Sequence, residues 1–280
     1  MRSRFSTKDC TALITGATAG LGEEFARQLA PVATRLILVG RRKDRLATLS
    51  EALRDQYPAL AVETIPADLA ISSERVRLTS HIIRGEIRVN LLVNNAGLGD
   101  LGPFDTADWN RLEPMLSVNV AALTHLTHLL LPMLRASSPA AVLNVSSVAG
   151  FFPLPEMAVY AATKAYVTSF SEALRMELAP HGVTVTALCP GPVPTEFFDV
   201  ASRNGETIRA MDRSHPALSA TPQLVVRQAL KGLEADRPGV IPNALLATLI
   251  RTVRLLPFPF IREAIKFGAG PRKPVQVPQL

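Results

Sequence analysis

Short apolar runs alternate with helical patterns along most of this 280-residue chain. Uninterrupted runs of this length are typical of strands in a parallel sheet that is covered on both faces. They are residues 11–14, 35–39, 61–66, 89–93, 142–145, 183–188 and 239–241. Because strict strand–helix alternation gives parallel strands joined by right-handed crossovers, the sequence predicts an α/β fold. We expect a doubly wound parallel sheet in one domain over residues 1–242, followed by a helical C-terminal extension over 243–280.

The composition excludes several classes of protein. Hydrophobic residues make up 48% of the chain and charged residues 19%, as in compact globular proteins. The net charge of +6 permits binding to phosphates or to an anionic membrane, but with only 5% aromatic residues we expect no nucleic-acid partner. Two cysteines, Cys10 and Cys189, argue against a disulfide framework. Residues 1–10 resemble no secretory signal, so we expect a cytoplasmic location.

A glycine-rich turn follows the first predicted strand. The segment TGATAGLG places Gly16, Gly20 and Gly22 between that strand and a helical pattern. A strand that runs through glycines into a helix presents free backbone N–H groups to phosphate oxygens. By analogy with the usual dinucleotide motif, Gly16 permits the tight turn, Gly20 the approach of a pyrophosphate, and Gly22 close packing of helix on strand. The sheet is therefore predicted to be of the Rossmann type.

Charged residues follow the second and third predicted strands. Arg41 and Arg42 stand where a carboxylate usually binds the ribose of NAD, and an arginine suits the 2′-phosphate of NADP. Arg41, with Arg42 as second choice, thus indicates NADP(H) over NAD(H), although an ordinary arginine at a helix start is the alternative. Asp68 either contacts the adenine or caps the next helix.

Ser147, Tyr160 and Lys164 form a third motif. Positions four apart on a helix share a face, so the phenol of Tyr160 and the ammonium of Lys164 can share a pocket. An unperturbed tyrosine has a pKa near ~10. One cation at about 4 Å and an effective dielectric of ~20 favours the phenolate by on the order of 4 kcal/mol. We therefore expect Lys164 to lower the pKa of Tyr160, although a simple helix-surface pair is the alternative.

Further polar residues lie between these motifs. Asn119 is a polar residue inside an apolar helix and must find partners. No other ligand-type residue is spaced to bind a metal together with His125 and His128. We therefore expect these two histidines to pack in the fold or to lie at an interface, and we expect no metal site. The loop 150–157 is apolar and is expected to line a substrate pocket.

The chain resembles the short-chain dehydrogenase/reductase family over residues 11–241. The resemblance rests on TGATAGLG, Asp68-Leu69, NNAG from Asn94, Asn119, Ser147, the YAATK segment from Tyr160 to Lys164, and Pro190-Gly191 with Thr195. It implies that Asn119, Ser147, Tyr160 and Lys164 are catalytic. It also implies a coenzyme site formed by Gly16, Thr18, Ala19, Gly20, Leu21, Gly22, Arg41, Arg42, Asp68, Leu69, Asn95, Ala96, Gly97, Tyr160, Lys164, Pro190, Gly191, Val193 and Thr195.

The resemblance further implies a role for each catalytic residue. Tyr160 would be the general acid/base, and Ser147 would polarise the substrate oxygen. Lys164 would lower the tyrosine pKa and bind the nicotinamide ribose, while Asn119 would support a water that relays protons to Lys164. Two departures stand out: Ala19 replaces the basic residue of many NADP-preferring members, and Ser146 precedes Ser147. The spacing of thirteen residues to Tyr160 selects Ser147.

The C-terminal third is less regular. We expect a mobile lid over about 195–221, with Phe197 and Phe198 as pocket walls, or else a plain surface loop. Residues 244–256 form an amphipathic pattern with arginines, and a second short helix is predicted at 261–267. This region either packs over the pocket and a neighbouring subunit or makes a weak peripheral membrane contact.

Together these features predict an NADP(H)-dependent oxidoreductase that interconverts a hydrophobic ketone or aldehyde and its alcohol. A non-catalytic NADP-binding sensor or scaffold on the same fold is the alternative. For the family, assembly as a homodimer or homotetramer would be usual.

Overall fold

Seven parallel strands form one sheet in the computed structural model, which describes residues 4–203 and 218–269. The strands are β1 Thr11–Thr15, β2 Arg35–Gly40, β3 Ala61–Pro66, β4 Leu91–Asn94, β5 Ala140–Val145, β6 Val183–Leu188 and β7 Gly239–Val240. Their order is β3-β2-β1-β4-β5-β6-β7. The strand order reverses between β1 and β4, where Leu13 pairs with Leu92. In sheets of this kind, ligands bind outside the carboxyl ends of the strands at this switch point.

Ten α-helices cover the sheet and its C-terminal edge within the described residues. They are α1 Gly20–Leu29, α2 Lys43–Gln56, α3 Ser72–Arg84, α4 Trp109–Leu116, α5 Leu123–Ala136, α6 Ala158–Leu178, α7 Glu196–Ala201, α8 Pro222–Glu234, α9 Ala244–Val253 and α10 Phe258–Ala269. Short 3₁₀ turns add Phe104–Thr106, Val148–Phe151 and Ala179–His181. The predicted Rossmann-type α/β fold is confirmed.

Alternating side chains of the strands build two apolar layers. On one face, Ile14 of β1 belongs to a fully buried cluster with α1, α2 and α8. On the other face, its neighbour Leu13 packs with α3, α5 and α6. Because both faces are covered, the strands consist of continuous apolar runs, as the sequence indicates.

A π-helical segment, Ser117–Ala122, joins α4 to α5. Asn119 lies in this segment and is 1% exposed. The whole stretch Trp109–Ala136 is long and apolar enough to meet the length and hydropathy criteria for a membrane span. Its residues Leu126, Leu130 and Leu134 are buried against the sheet, so it is a core helix of the fold. The sequence indicates one interrupted helix here but does not predict the change of helical type.

The C-terminal region differs in detail from the sequence-based expectation. The helix expected over 244–256 ends at Val253, and the one expected over 261–267 begins earlier, at Phe258. The lid expected over 195–221 contains the short helix α7. Its residues 204–217, like residues 270–280 of the extension, lie outside the described part of the chain.

Candidate active site

A cavity of about 690 Å³ opens at the carboxyl ends of the central strands. It brings together nearly all the residues singled out from the sequence. Those that line it are Gly16, Thr18, Ala19, Gly20, Leu21, Arg41, Arg42, Asp68, Leu69, Asn95, Ala96, Gly97, Ser147, Tyr160, Lys164, Pro190, Gly191, Val193 and Thr195. Gly22 and Asn119 are absent from the lining and lie behind it, so their influence on a ligand is indirect.

The glycine-rich turn has the backbone geometry that its sequence predicts. Gly16 and Gly20 have φ of +67° and +55°, values that favour glycine. A Cβ on Gly16 would lie 2.9 Å from the Cα of Ala96, and one on Gly22 would lie 2.1 Å from the carbonyl oxygen of Gly16. No side-chain hydrogen bond caps α1 at its N-cap residue Ala19. The turn therefore leaves backbone N–H groups and open space for an anionic group.

Two adjacent arginines at the end of β2 have different environments. Arg42 is half-buried and donates to the carbonyl oxygen of Thr18 at 3.0 Å and to a carboxylate oxygen of Glu196 at 2.8 Å. Arg41 is exposed, lines the cavity, and makes no side-chain hydrogen bond or ion pair to any described residue. Arg41 is thus the cation that remains available to a ligand.

Asp68 also lies on the wall of the cavity. One of its carboxylate oxygens accepts from the backbone N–H of Ala70 at 3.0 Å. The alternative that Asp68 caps the next helix is wrong, because the N-cap residue of α3 is Ile71.

The Tyr160 phenol lies beside Ser147. Tyr160 is only 7% exposed, and the Ser147 side chain is near enough to act on the pKa of its phenol. Ser147 also accepts from the backbone N–H of Ala149 at 3.1 Å, which fixes the serine at the end of β5. Ser146 instead donates to the carbonyl oxygen of Lys164 at 2.8 Å and is buried. Only Ser147, of the two serines, is therefore placed to share a substrate oxygen with Tyr160.

Lys164 does not act on Tyr160 in the way that the sequence predicts. Its Nζ lies 5.7 Å from the centre of the Tyr160 ring and donates to the carbonyl oxygen of Val145 at 2.9 Å. Burial raises the pKa of Tyr160 to about 12, against a smaller lowering by the Ser147 hydrogen bond. Burial also lowers the pKa of Lys164 to about 8. The tyrosine pKa is therefore raised and not lowered as the sequence predicts, because desolvation of the phenol is the largest effect on it.

Asn119 is held by three hydrogen bonds. Its Oδ1 accepts from the backbone N–H of Leu98 at 2.8 Å, and its Nδ2 donates to the carbonyl oxygen of Leu98 and to Oγ1 of Thr163. A Cβ built on Gly97 would lie 3.4 Å from Nζ of Lys164 and 3.5 Å from Oδ1 of Asn119. The glycine therefore leaves a small gap into which both polar groups face.

The turn after β6 brings helix α7 over the tyrosine. Thr195 is the N-cap residue of α7, and its Cγ2 would lie 3.2 Å from a Cβ on Gly20. The Phe197 ring lies 5.4 Å from the Tyr160 ring at an interplanar angle of 48°. Phe198 packs edge-on against Phe197. Both phenylalanines line the cavity, as the sequence predicts.

Apolar side chains form the part of the cavity beyond Tyr160. The loop before α6 supplies Phe152, Leu154 and Met157, and α9 supplies four more lining residues. The latter are Leu246, Leu249, Ile250 and Val253. The C-terminal helix α9 thus packs over the pocket with one face, which is one of the two arrangements that the sequence leaves open.

The structure contains two ionic clusters at the ends of α7 that the sequence did not predict. Glu196 pairs with Arg42 and also with Arg45, at 2.6 Å. The buried Asp100 pairs with Arg111 at 2.8 Å and with Arg203. These partners are up to 154 positions apart in the sequence, so no local spacing indicates them.

His125 of α5 has a hydrogen-bond partner. His125 accepts from Nε of Arg75 at 3.3 Å through its Nδ1. Within residues 4–203 and 218–269, no group of three or more His, Cys, Asp or Glu side chains is arranged to hold a metal ion.

Known proteins share this fold and much of this sequence. The family model for short chain dehydrogenase matches residues 10–205. A sulfoacetaldehyde reductase of Chromohalobacter salexigens is 38% identical over 219 residues, which is 76% of this chain and 83% of that protein.

Two solved structures extend the similarity to most of the chain. A short-chain dehydrogenase from Sphingobium yanoikuyae in complex with NADPH has a TM-score of 0.77 at 30% identity, covering 96% of this chain and 98% of that one. The bulky-bulky ketone specific alcohol dehydrogenase from Comamonas testosteroni has a TM-score of 0.73 at 28% identity, covering 88% and 92%.

A doubly wound sheet with a glycine-rich turn, a cavity at its switch point and a buried tyrosine inside that cavity defines a dinucleotide-dependent oxidoreductase. The chain belongs to the short-chain dehydrogenase/reductase family. It is an enzyme that acts on CH–OH and C=O groups with NAD(P) as the electron carrier.

Proposed function

We propose that this enzyme uses NADP(H) to interconvert a hydrophobic ketone or aldehyde and its alcohol. The observation that carries the proposal is a single cavity lined by a glycine-rich turn with Arg41, by Ser147 and Tyr160, and by apolar side chains. The apolar side chains include Phe152 and Leu154. A carbonyl oxygen between Ser147 and Tyr160 would place its carbon towards the coenzyme and its substituents among apolar groups.

The residues present fit a dinucleotide. A side chain at Gly16 or Gly22 would collide with backbone atoms, and the N–H groups at the start of α1 carry no side-chain cap. When bound, the coenzyme supplies the hydride. Lys164, whose Nζ is close to Gly97, would bind the nicotinamide ribose, while Val193 and Thr195, which line the cavity, would hold the carboxamide.

The chain's own catalytic contribution is to hold and move a proton. Ser147 donates a hydrogen bond that polarises the carbonyl oxygen, and Tyr160 transfers its phenolic proton to the oxygen of the product. A tyrosine whose burial raises its pKa to about 12 is protonated at neutral pH and is ready to donate. It is still a far stronger acid than water, whose pKa is about 15.7, so proton transfer to an alkoxide remains favourable.

The raised tyrosine pKa has a consequence for the reverse reaction. Oxidation of an alcohol requires Tyr160 to accept a proton, and this requires the phenolate. The gap between Gly97, Asn119 and Lys164 is suited to a water that relays this proton onwards. We propose that Asn119 acts through this water and is a positioning residue.

The choice of NADP(H) rests on Arg41. It is exposed at the end of β2, lines the cavity and is free of described partners. A guanidinium in that position is suited to a 2′-phosphate. The similar Sphingobium yanoikuyae structure contains NADPH, which supports the same choice.

The apolar lining supports a hydrophobic substrate. One relative is named for a small anionic aldehyde, sulfoacetaldehyde, and one structural neighbour for bulky ketones. A sulfonate would require a cation near Tyr160 to balance its charge. Besides Ser147 and Lys164, apolar side chains pack around Tyr160, including Leu154, Met157 and Phe197, so we favour the bulky apolar carbonyl.

Coenzyme oxidation tests the proposal. The purified protein is mixed with NADPH or NADH and a panel of apolar ketones, apolar aldehydes and sulfoacetaldehyde, and the loss of absorbance is followed. We expect turnover with NADPH and apolar carbonyls. The alternative, a non-catalytic NADP-binding sensor or scaffold, predicts NADPH binding with no turnover on any member of the panel.

We further propose that the enzyme forms a homodimer or homotetramer through the outer faces of α5 and α6. Tyr166 and Met176 of α6 are exposed, and Tyr166 stacks on Phe170 with centroids 5.8 Å apart. Light scattering during gel filtration would measure the assembly. A purely monomeric mass at micromolar concentration would contradict it.

The exposed side of the C-terminal helices supports a weak membrane contact through residues 244–267. Leu255 is 85% exposed and Phe260 66%, and both lie between Arg251 and Arg262. Apolar side chains flanked by arginines suit an anionic bilayer surface. We propose this contact for a cytoplasmic protein, whose buried cysteines Cys10 and Cys189 are unpaired. Flotation with anionic liposomes tests the contact, and cell fractionation tests the location.

A further inference from the structure

Glu196 occupies the space between two arginines at the coenzyme end of the cavity. Its Oε2 lies 2.8 Å from Nη1 of Arg42 and its Oε1 lies 2.6 Å from Nη1 of Arg45. Arg42 follows β2 and Arg45 lies in the first turn of α2, while Glu196 begins α7 after β6. These two ion pairs therefore join the start of α7 to the arginines nearest to Arg41.

The carboxylate of Glu196 presents to Arg42 what a phosphate would present. A planar carboxylate and a tetrahedral phosphate both present anionic oxygens that accept hydrogen bonds from a guanidinium. Arg42 is held in place by Thr18, whose carbonyl oxygen and Oγ1 accept from it at 3.0 and 3.3 Å. Because Thr18, Arg41, Arg42 and Glu196 all line the cavity, an anion bound by Arg41 lies close to the Glu196 carboxylate.

The ion pairs of Glu196 are weak enough to be exchanged. The side chains of Arg42, Arg45 and Glu196 are all about 40–47% exposed. Ion pairs between exposed side chains contribute little to stability. A doubly charged phosphate can therefore displace the single charge of Glu196 from Arg42.

The opposite end of α7 is held more firmly. Arg111 donates to the carbonyl oxygens of Val200 and Ala201 and to Asp100, which is buried. Arg203 also forms an ion pair with Asp100. If the first turn of α7 is released, the helix remains attached at its end.

We propose that Glu196 determines coenzyme preference by competing with the 2′-phosphate for Arg42, so that the phosphate loosens the first turn of α7. This inference rests on the proposed coenzyme site. It links a group at the adenosine end to the substrate pocket, because Phe197 in the same turn packs on Tyr160.

The competition predicts how Glu196→Gln alters binding. The amide keeps the shape of the side chain and removes its charge, so Arg42 and Arg45 become available to the 2′-phosphate. We expect the Kd of NADPH to fall about tenfold and that of NADH to change less than about twofold. Asp199→Asn is the matched control, since Asp199 is exposed on the same helix and forms no ion pair with a described residue.

Calorimetric titration of the full chain with NADPH, NADH, 2′,5′-ADP and 5′-ADP tests the competition. Selective tightening of the two 2′-phosphorylated ligands by Glu196→Gln, and by that variant alone, supports it. Equal changes for all four ligands, or no change for any, overturn it. If the wild-type protein binds neither coenzyme, the proposed function itself fails, which is a distinguishable result.

Amide hydrogen exchange over residues 196–201 tests the release of α7. With saturating NADPH, the wild-type protein should exchange these amides faster than with saturating NADH, and Glu196→Gln should show no such difference. Equal exchange with the two coenzymes in the wild-type protein would overturn the link to the pocket.

Discussion

The Nζ atom of Lys164 lies 5.7 Å from the centre of the Tyr160 ring, and both residues are buried. Burial moves each group towards its neutral form, with the pKa of Lys164 lowered to about 8 and that of Tyr160 raised to about 12. Burying these two groups therefore lowers the free energy of unfolding of the protein, and bound ligands can offset this loss. The pKa of Lys164 provides a way to measure this cost.

We predict that Lys164→Met stabilises the protein near pH 7 by about 2 kcal/mol. Relief from burying a charge contributes about 3 kcal/mol, and loss of the hydrogen bond to Val145 offsets about 1 kcal/mol. Below pH 8, folded and unfolded chains both carry the charge, so the full cost is present. Between pH 8 and the ordinary value of 10.5, only the unfolded chain holds the proton, so wild-type stability rises with pH.

Urea unfolding between pH 7 and pH 10 measures this effect. The gain from Lys164→Met should shrink as the pH rises through 8. Lys231→Met, an exposed position on α8, should show no such trend. If Lys164→Met is less stable than the wild type at pH 7, the interactions of the buried ammonium outweigh the cost of its burial, and the prediction is wrong.

We predict that Arg41→Ala weakens NADPH binding by about ten- to a hundredfold and NADH binding by less than about threefold. Only NADPH carries the 2′-phosphate that the guanidinium is positioned to bind, and a charge-assisted hydrogen bond of this kind contributes about 1.5–3 kcal/mol. Fluorescence titration of both coenzymes measures the two affinities. Arg88→Ala is the control, because Arg88 is an exposed cation just before β4. It therefore lies at the amino ends of the strands, whereas the cavity lies at their carboxyl ends. Equal losses for both coenzymes would refute the 2′-phosphate assignment.

We predict that Asp100→Asn destabilises the protein by about 2–4 kcal/mol, because it leaves Arg111 and Arg203 without their buried counter-charge. Burial alone would raise the pKa of Asp100, but the hydrogen bonds from Arg203 and Arg111 outweigh it and the pKa is lowered. Thermal unfolding at pH 7 measures the loss. Asp105→Asn, an exposed residue nearby, should leave the melting temperature within about 1 °C. An unchanged melting temperature for Asp100→Asn would show that this cluster does not anchor α7.

Local patterns in the sequence were sufficient to predict the sheet and the cavity floor. The strands 61–66 and 183–188 have the predicted bounds, because continuous apolar runs are local signals. The glycine-rich turn is equally local, since Gly16 and Gly20 need positive φ wherever the chain makes that turn.

Interactions between distant residues could not be predicted in the same way. The pairing of Glu196 with Arg42 depends on the path that the chain takes after β6. The spacing of residues in the sequence does not indicate this path. The π-helical segment around Asn119 depends on the tertiary hydrogen bonds to Leu98 and Thr163. The direction of the Tyr160 pKa shift was missed for a related reason, because burial is a property of the whole fold while the Lys164 charge can be read from the sequence.

The central claim is that the Tyr160 phenol gives a proton to a carbonyl oxygen while the coenzyme reduces the carbon. Steady-state NADPH oxidation by Tyr160→Phe tests it most directly. Tyr166→Phe serves as control, because it removes from the same helix a hydroxyl whose hydrogen-bond partner among the described residues is Oγ1 of Thr124. We expect Tyr160→Phe to lose at least about a hundredfold in kcat with the Kd of NADPH within about threefold, while Tyr166→Phe keeps wild-type turnover. Undiminished turnover by Tyr160→Phe would show that this phenol is not the proton donor.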